Sequence, residues 1–449
     1  MNKLNWLIFP LLWQCQLTQA PSMASETDQV LSAVITTDRI SSNHFCDTVL
    51  DEDGNSYLAT FVKQPTGEDH LAILKLSPRG EVVWQLGKGQ AGRATAISRS
   101  PGGDLWVTGF FAGRLELGGA TLSAPVGNRI FLARLDADGH CTALIGSEGD
   151  GLAFNIHVNS RGGILLNGTM GQSLAFGDVR LRQAAAESAF LALFSAGGEP
   201  QWIRPLQGDV HRMASDEEGR FYLTGRFHDH FHFGTDTLLT SGSYDSDGFL
   251  LALDPGREVS WVRQFGRMGT IRYGYRTQEA GLDLIVRATD EIIVAAYLDP
   301  QPTGLEQLGP RDETLADLAL LTFDGQGRLL RTETVVEHVL GGVPVAFVED
   351  ARGRRWLAGI GKDYIKPLGR AVPLGERQLF LFARDASGRP DTLILPEHGP
   401  NTMIRAANAG QAGLVFTGHF QQYLQAGDQR ITNDGRHGIF YWRTGSGDQ

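Results

Sequence analysis

Residues 228–232 read His-Asp-His-Phe-His. Residues two apart share one face of an extended strand, so His228, His230 and His232 would present three imidazoles together. Such a set suits Zn²⁺ or Cu²⁺. On a variable surface loop the same run is simply three exposed histidines. A second set is Asp47, Asn155, Arg212, Asp283 and Arg405, which fall in one column, with Ala96 and Ala346, when the repeat described below is aligned. Converging Asp and Arg could bind a small polar ligand or sugar. Structural ion pairs would use the same residues, because buried charge has to be paired. Two positions further on the column reads Val49, Ser98, His157, Ala214, Ile285, Val348 and Ala407, so His157, with His211, flanks the ring. A third set, Asp51-Glu52-Asp53-Gly54-Asn55, is oxygen-rich like a Ca²⁺ loop. It lacks the downstream carboxylate of the EF-hand spacing and also reads as a hairpin turn. Asp245-Ser246-Asp247-Gly248 has the same two readings. No G-x-S-x-G, H-E-x-x-H, P-loop or C-x-x-C motif occurs.

The elements that must carry these residues repeat. Seven apolar segments share a preceding Gly/Asp/Asn turn and a small residue near the end: 55–61, 104–110, 163–169, 220–226, 291–297, 354–360 and 413–419. The small residues are Thr60, Gly109, Gly168, Gly225, Ala296, Gly359 and Gly418, spaced 49, 59, 57, 71, 63 and 59 apart. Partner strands follow at 71–76, 131–135, 190–194, 249–253, 318–323, 379–383 and 439–443. A fourth strand often holds tryptophan, as at Trp84, Trp202 and Trp261. Short strands, regular turns and no sustained helical period predict an all-β fold. Four strands repeated seven times predict a single seven-bladed β-propeller. Its strands are apolar on both faces because each blade packs between two others. The small residue is expected where adjacent blades crowd. The last copy shows three strands, and Val30–Thr37 precedes the first complete copy, so this segment is expected to complete the seventh blade.

The repeat resembles that of a bacterial seven-bladed β-propeller repeat family. The best copy is the fourth: Asp216 to Gly219, Tyr222-Leu223-Thr224-Gly225, Phe233-Gly234, Asp247-Gly248-Phe249, Trp261 and Phe265-Gly266. The resemblance spans about residues 29–444 and matches loosely in the last three copies, where Ala296 replaces glycine. It implies an exported envelope or surface protein and no single activity.

Composition agrees with a folded, exported chain. Of 449 residues 56 are glycine and 18 proline, 42% are hydrophobic, and 40 basic against 51 acidic residues give −11. That charge disfavours nucleic acid as a partner. Lys3, the apolar stretch 4–12 and Ser22-Met23-Ala24 read as a signal peptide, residues 1–24, ahead of a propeller domain at 25–449. Trp13 and Gln14 before Cys15 do not fit a lipobox. Cleavage would leave no transmembrane segment and remove Lys3, taking the charge from −11 to −12. Cys46 and Cys141 are expected as unpaired thiols. The 298–316 insertion is a candidate contact loop or a tolerated surface insertion. The reading is a non-catalytic binding or scaffold module, periplasmic or extracellular and monomeric, with a protein or glycan partner on a loop face. No cofactor is required, with Zn²⁺ and Ca²⁺ as the metals to test. The alternative is a secreted hydrolase or lyase acting on polysaccharide at the channel mouth.

Overall fold

A computed structural model describes residues 29–37, 46–182, 188–233, 236–239, 246–254, 259–266, 279–299, 315–367, 369–410 and 413–444. The signal segment, Cys15, Asp245, Gly234 and most of the 298–316 insertion lie outside the described residues.

The fold is all-β and propeller-like. Among the described residues its strands pair antiparallel, in four separate four-stranded sheets, one nine-stranded and one five-stranded sheet and two two-stranded hairpins; the recurring group of four strands is here called a blade. The first blade comprises Asp47–Leu50, Ser56–Lys63, Asp69–Leu76 and Val82–Leu86. The innermost strands of the next six are Gly92–Arg99, Gly151–Val158, Asp209–Ser215, Ala280–Val286, Ala346–Glu349 and Met403–Gly410. Each inner strand lies against the next, and the last lies against the first. The expected separation of blades fails at one seam. Leu329–Leu340 of the fifth blade pairs onward with Arg355–Pro367 of the sixth, merging the two into one curved sheet.

Val30–Thr37 pairs with the third strand of the seventh blade, with Val30 opposite Arg443, Leu31 opposite Trp442 and Thr37 opposite His437. The seam between the seventh and first blades is a shared core in which Leu58, Ala72 and Leu74 pack with Ile439 and Tyr441. Every blade buries both faces in this way. All seven residues of Ile292–Leu298 are buried, as its β-branched and aromatic composition suits.

The turn residues and the tryptophans form one device. In the Asp216 turn, Gly219 at φ 81° donates to the Asp216 carbonyl at 3.2 Å, and the Arg220 amide donates to Asp216 Oδ1 at 2.8 Å. The left-handed step favours glycine. The outer-strand Trp84 and Trp261 donate across the seam to the next blade's turn, to Ala137 O at 3.2 Å and Gly325 O at 3.1 Å. Trp202 instead lies under Arg204, whose guanidinium sits 4.8 Å from the ring.

The small residue in the second strand has a different cause from the one expected. A Cβ at Gly109, Gly168, Gly225 or Gly418 would sit 1.9, 2.0, 1.8 or 2.0 Å from the carbonyl oxygen of Arg93, Leu152, Asp209 or Met403. Each of those carbonyls belongs to the inner strand of the same blade. It stands beside a β-bulge, where the register slips at Ala94/Ala96, Ala153/Asn155, Val210/Arg212 and Ile404/Ala406. The crowding is internal to the blade.

Two outcomes test this account. Gly225→Ala should lower unfolding stability by about 1–3 kcal/mol in chemical denaturation, the usual cost of overpacking. Deleting residues 29–37 should expose the Gln429–Thr444 edge and give oligomers or aggregates by light scattering. A monomeric, equally stable deletion protein would contradict the closing role of that strand.

Candidate functional site

The inner strands bring Asp47, Asn155, Arg212 and Asp283 to the channel. Arg212 of the fourth blade donates from Nε to Asp283 Oδ1 of the fifth at 2.9 Å. It also reaches the first blade, with Nη1 3.4 Å from Asp47 Oδ1. The remaining carboxylate oxygens are committed to backbone. Asp283 Oδ2 accepts the Phe347 amide at 3.0 Å, and Asp47 Oδ2 accepts the Ile97 amide at 3.0 Å. Asp283 is 6% exposed and Arg212 28%. The Asp283 carboxylate, more than any other group, pushes the Arg212 pKa up. Burial raises Asp47 above the usual carboxylate range, and Arg212 opposes that shift.

The ring also holds neighbouring blades together. Asn155 Nδ2 donates to Val210 O at 3.0 Å, and Asn408 Nδ2 to Thr48 O at 2.6 Å. Ser98 Oγ accepts the Val158 amide at 3.0 Å. His211 Nδ1 donates to Gly281 O at 2.8 Å, because a carbonyl can only accept. Each bond runs from one inner strand to the next blade's inner strand. Most of the polar column is thus used in stapling the blades.

Arg405 departs from the expected column. The structure places Ala406 opposite Thr417, the position that Arg212 holds opposite Thr224. The hairpin of the seventh blade closes through Gly410 opposite Gly413, one residue tighter than its counterparts, so a constant offset lands on the bulge residue. Arg405 is instead the member, in this blade, of the residues immediately before the ring: Cys46, Thr95, Phe154, His211, Leu282, Val345 and Arg405. All seven line a channel cavity of about 730 Å³. Bulged residues leave the ladder and turn toward the open side. Five of the seven, Thr95, Phe154, His211, Leu282 and Arg405, sit at such bulges. Apart from His211 and Arg405, sequence reasoning missed this layer, although the glycine opposite four of the bulges was a signal for it.

On the other side of the ring lies a second cavity of about 490 Å³, which shares Asp47, Asn155 and Arg212 with the first. Asp47, Asn155 and Arg212 thus border both cavities. His157 belongs to the second chamber, its Nε2 3.0 Å from Ser215 Oγ. Burial, reinforced by Arg212, lowers its pKa to about 4. Burial likewise lowers His211 and takes Arg405 down to about 10. Cys46 and Cys141 are free thiols, buried and half-buried respectively, and burial pushes Cys46 up to about 12.

The three histidines are not brought together as a ligand set. Asp229 adopts φ 58°, a left-handed step that ends one strand at His228 and starts another at His230. His230 and His232 share an exposed face above buried Phe231 and Phe233. Among the described residues no group of three His, Cys, Asp or Glu is placed to hold a metal. The Asp51 loop is a hairpin turn whose carboxylate is engaged. Oδ1 accepts the Asn55 amide at 2.8 Å, and Oδ2 accepts Asn55 Nδ2 at 2.8 Å and Tyr57 OH at 3.0 Å. Of the Asp245–Gly248 run, residues 246–248 are strand.

No protein-family model and no curated protein matches the sequence. Solved structures of propeller-like fold are similar at low identity. A Bacteroides caccae protein of unknown function is 9% identical, with 72% of this chain and 89% of that chain covered and a TM-score of 0.38. A Dyadobacter fermentans protein of unknown function is 11% identical, covering 92% and 99%, with a TM-score of 0.41. Kuenenia stuttgartiensis hydrazine synthase is 13% identical, covering 79% and 79%, with a TM-score of 0.43. Likeness at this level carries no argument about ligand or activity.

Two measurements test the ring. Arg212→Met strands two buried carboxylates and should cost about 3–5 kcal/mol at neutral pH. Asp47, already raised by burial, loses the opposing effect of Arg212, so the folded state binds more protons and the deficit should shrink as pH falls. His157 has the opposite sign. Its folded pKa lies below its unfolded value, so its contribution is present above about pH 6.5 and is lost as pH falls toward 4. His157→Gln should flatten the wild-type stability profile in that window by about 2–3 kcal/mol.

Proposed function

We propose that the chain is a single seven-bladed propeller of the exported bacterial repeat kind, closed by residues 30–37, and that it acts as a non-catalytic binding module. Its ligand site is the chamber of about 730 Å³. One observation carries this reading. The chamber is concave, is bordered by the salt-bridged Arg212, and combines apolar and polar side chains on one lining. Small-molecule sites are concave, largely preformed and roughly 300–1,000 Å³, with a few converging polar groups on an apolar lining. Phe154, Leu282 and Val345 supply the apolar part, and Asn167, His211 and Arg405 the polar part.

Binding is favoured over the alternative, a polysaccharide hydrolase or lyase. A catalytic imidazole is commonly oriented by a carboxylate on Nδ1. His211 has a backbone carbonyl there. Export, a periplasmic or extracellular location and a monomeric state follow from the sequence reading and belong to the same proposal.

The test is a small-molecule library screened by saturation-transfer NMR on the purified protein. Leu282→Trp and Val345→Phe, each checked by thermal unfolding, fill the chamber. Hits lost in both folded variants support the reading. Hits that persist in both, or a folded wild type without hits, oppose it.

A further inference from the structure

We propose that the chamber is a saccharide subsite, built on the third and fourth blades by Phe154, Asn155, Asn167 and His211. This inference rests on the binding reading above and names the ligand class.

The hydrogen-bond directions at this wall are fixed by backbone. The Val210 carbonyl can only accept, so the group that Asn155 turns to it, at 3.0 Å, is its amide nitrogen. The same nitrogen donates to Asn167 Oδ1 at 2.9 Å, which fixes the Asn167 amide in turn. Asn155 Oδ1 and Asn167 Nδ2 are then left without a protein partner among the described residues. Neither is an enclosed, unsatisfied atom, and both residues line the chamber. His211 follows the same logic. Its Nδ1 hydrogen is committed to Gly281 O at 2.8 Å, and burial keeps the ring neutral. Nε2 therefore carries a lone pair, and it too has no protein partner among the described residues.

The wall thus offers two acceptors and one donor within a contiguous patch. Asn155 and Asn167 touch, and Asn155 bonds the residue preceding His211. A sugar hydroxyl both donates and accepts, so adjacent hydroxyls can answer such a mixed set. A pyranose also has an apolar C–H face, and half-buried Phe154 lies beside Asn155 on the chamber lining. The nearest charges are already matched, Arg212 by Asp283 and Asp47, and Arg226 by Asp209 at 3.1 Å. An uncharged hydrogen-bonding ring meets this surface without displacing an ion pair.

The experiment is isothermal titration of the purified protein with methyl glucoside, methyl galactoside, N-acetylglucosamine and glucuronate. Citrate and indole serve as non-sugar probes. His211→Phe and Asn167→Leu are titrated beside wild type, and the His211 nitrogens are followed by ¹⁵N NMR. Binding of any of the four sugars, weakened about tenfold or more by either folded variant, supports the inference. A sugar-induced shift at His211 Nε2 supports it even if a variant fails to fold. Citrate or indole binding without sugar overturns the saccharide class and leaves the binding reading standing. No binding by any probe overturns both. Sugar binding indifferent to both variants, with no His211 shift, places the sugar elsewhere and overturns this site.

Discussion

Arg212 is the constraint on which the channel depends. A guanidinium placed at the centre of a ring of strands must find anions, and it finds two, one on the neighbouring blade and one across the channel. Those carboxylates in turn must find donors, and they take backbone amides from yet other blades. The charge cluster therefore joins the first, second, fourth, fifth and sixth blades through three side chains and two backbone amides. Removing one partner leaves the others buried and uncompensated, which is why such clusters are all-or-nothing. The same cluster borders both channel cavities.

A second recurring device, the inner-strand bulge, converts this ring into a pocket. The extra residue turns one side chain into the chamber of about 730 Å³ and leaves the next facing the ring. It also pushes a carbonyl toward the second strand, where glycine or another small residue is needed. Three features that look unrelated in sequence therefore share one backbone irregularity: the small residue, the polar ring and the chamber lining.

This explains what could be read from sequence. The strands, the Asp–Gly turns, the outer tryptophans and the pairing of Val30–Thr37 with the seventh blade were all legible, because each rests on local composition or on counting strands. Asp47, Asn155, Arg212 and Asp283 were legible as a column because their hairpins are equally long. Arg405 was misplaced because its hairpin is one residue shorter and carries the same bulge. The layer before the ring, from Cys46 to Val345, was not read: at five of its positions a bulge adds one residue without changing composition, and the small residue opposite was taken as a sign of crowding between blades. The histidine run looked like a metal set only on the assumption of an unbroken strand, and Asp229 breaks it.

The central claim is that Arg212 and Asp47 are coupled across the channel and hold the ring as a unit. A double-mutant cycle of Arg212→Met and Asp47→Asn, read by denaturant unfolding at neutral pH, tests it directly. The account predicts an interaction energy of about 1–3 kcal/mol, beyond the roughly 0.3–0.5 kcal/mol scatter of independent sites. Additive single-mutant effects within that scatter would contradict it.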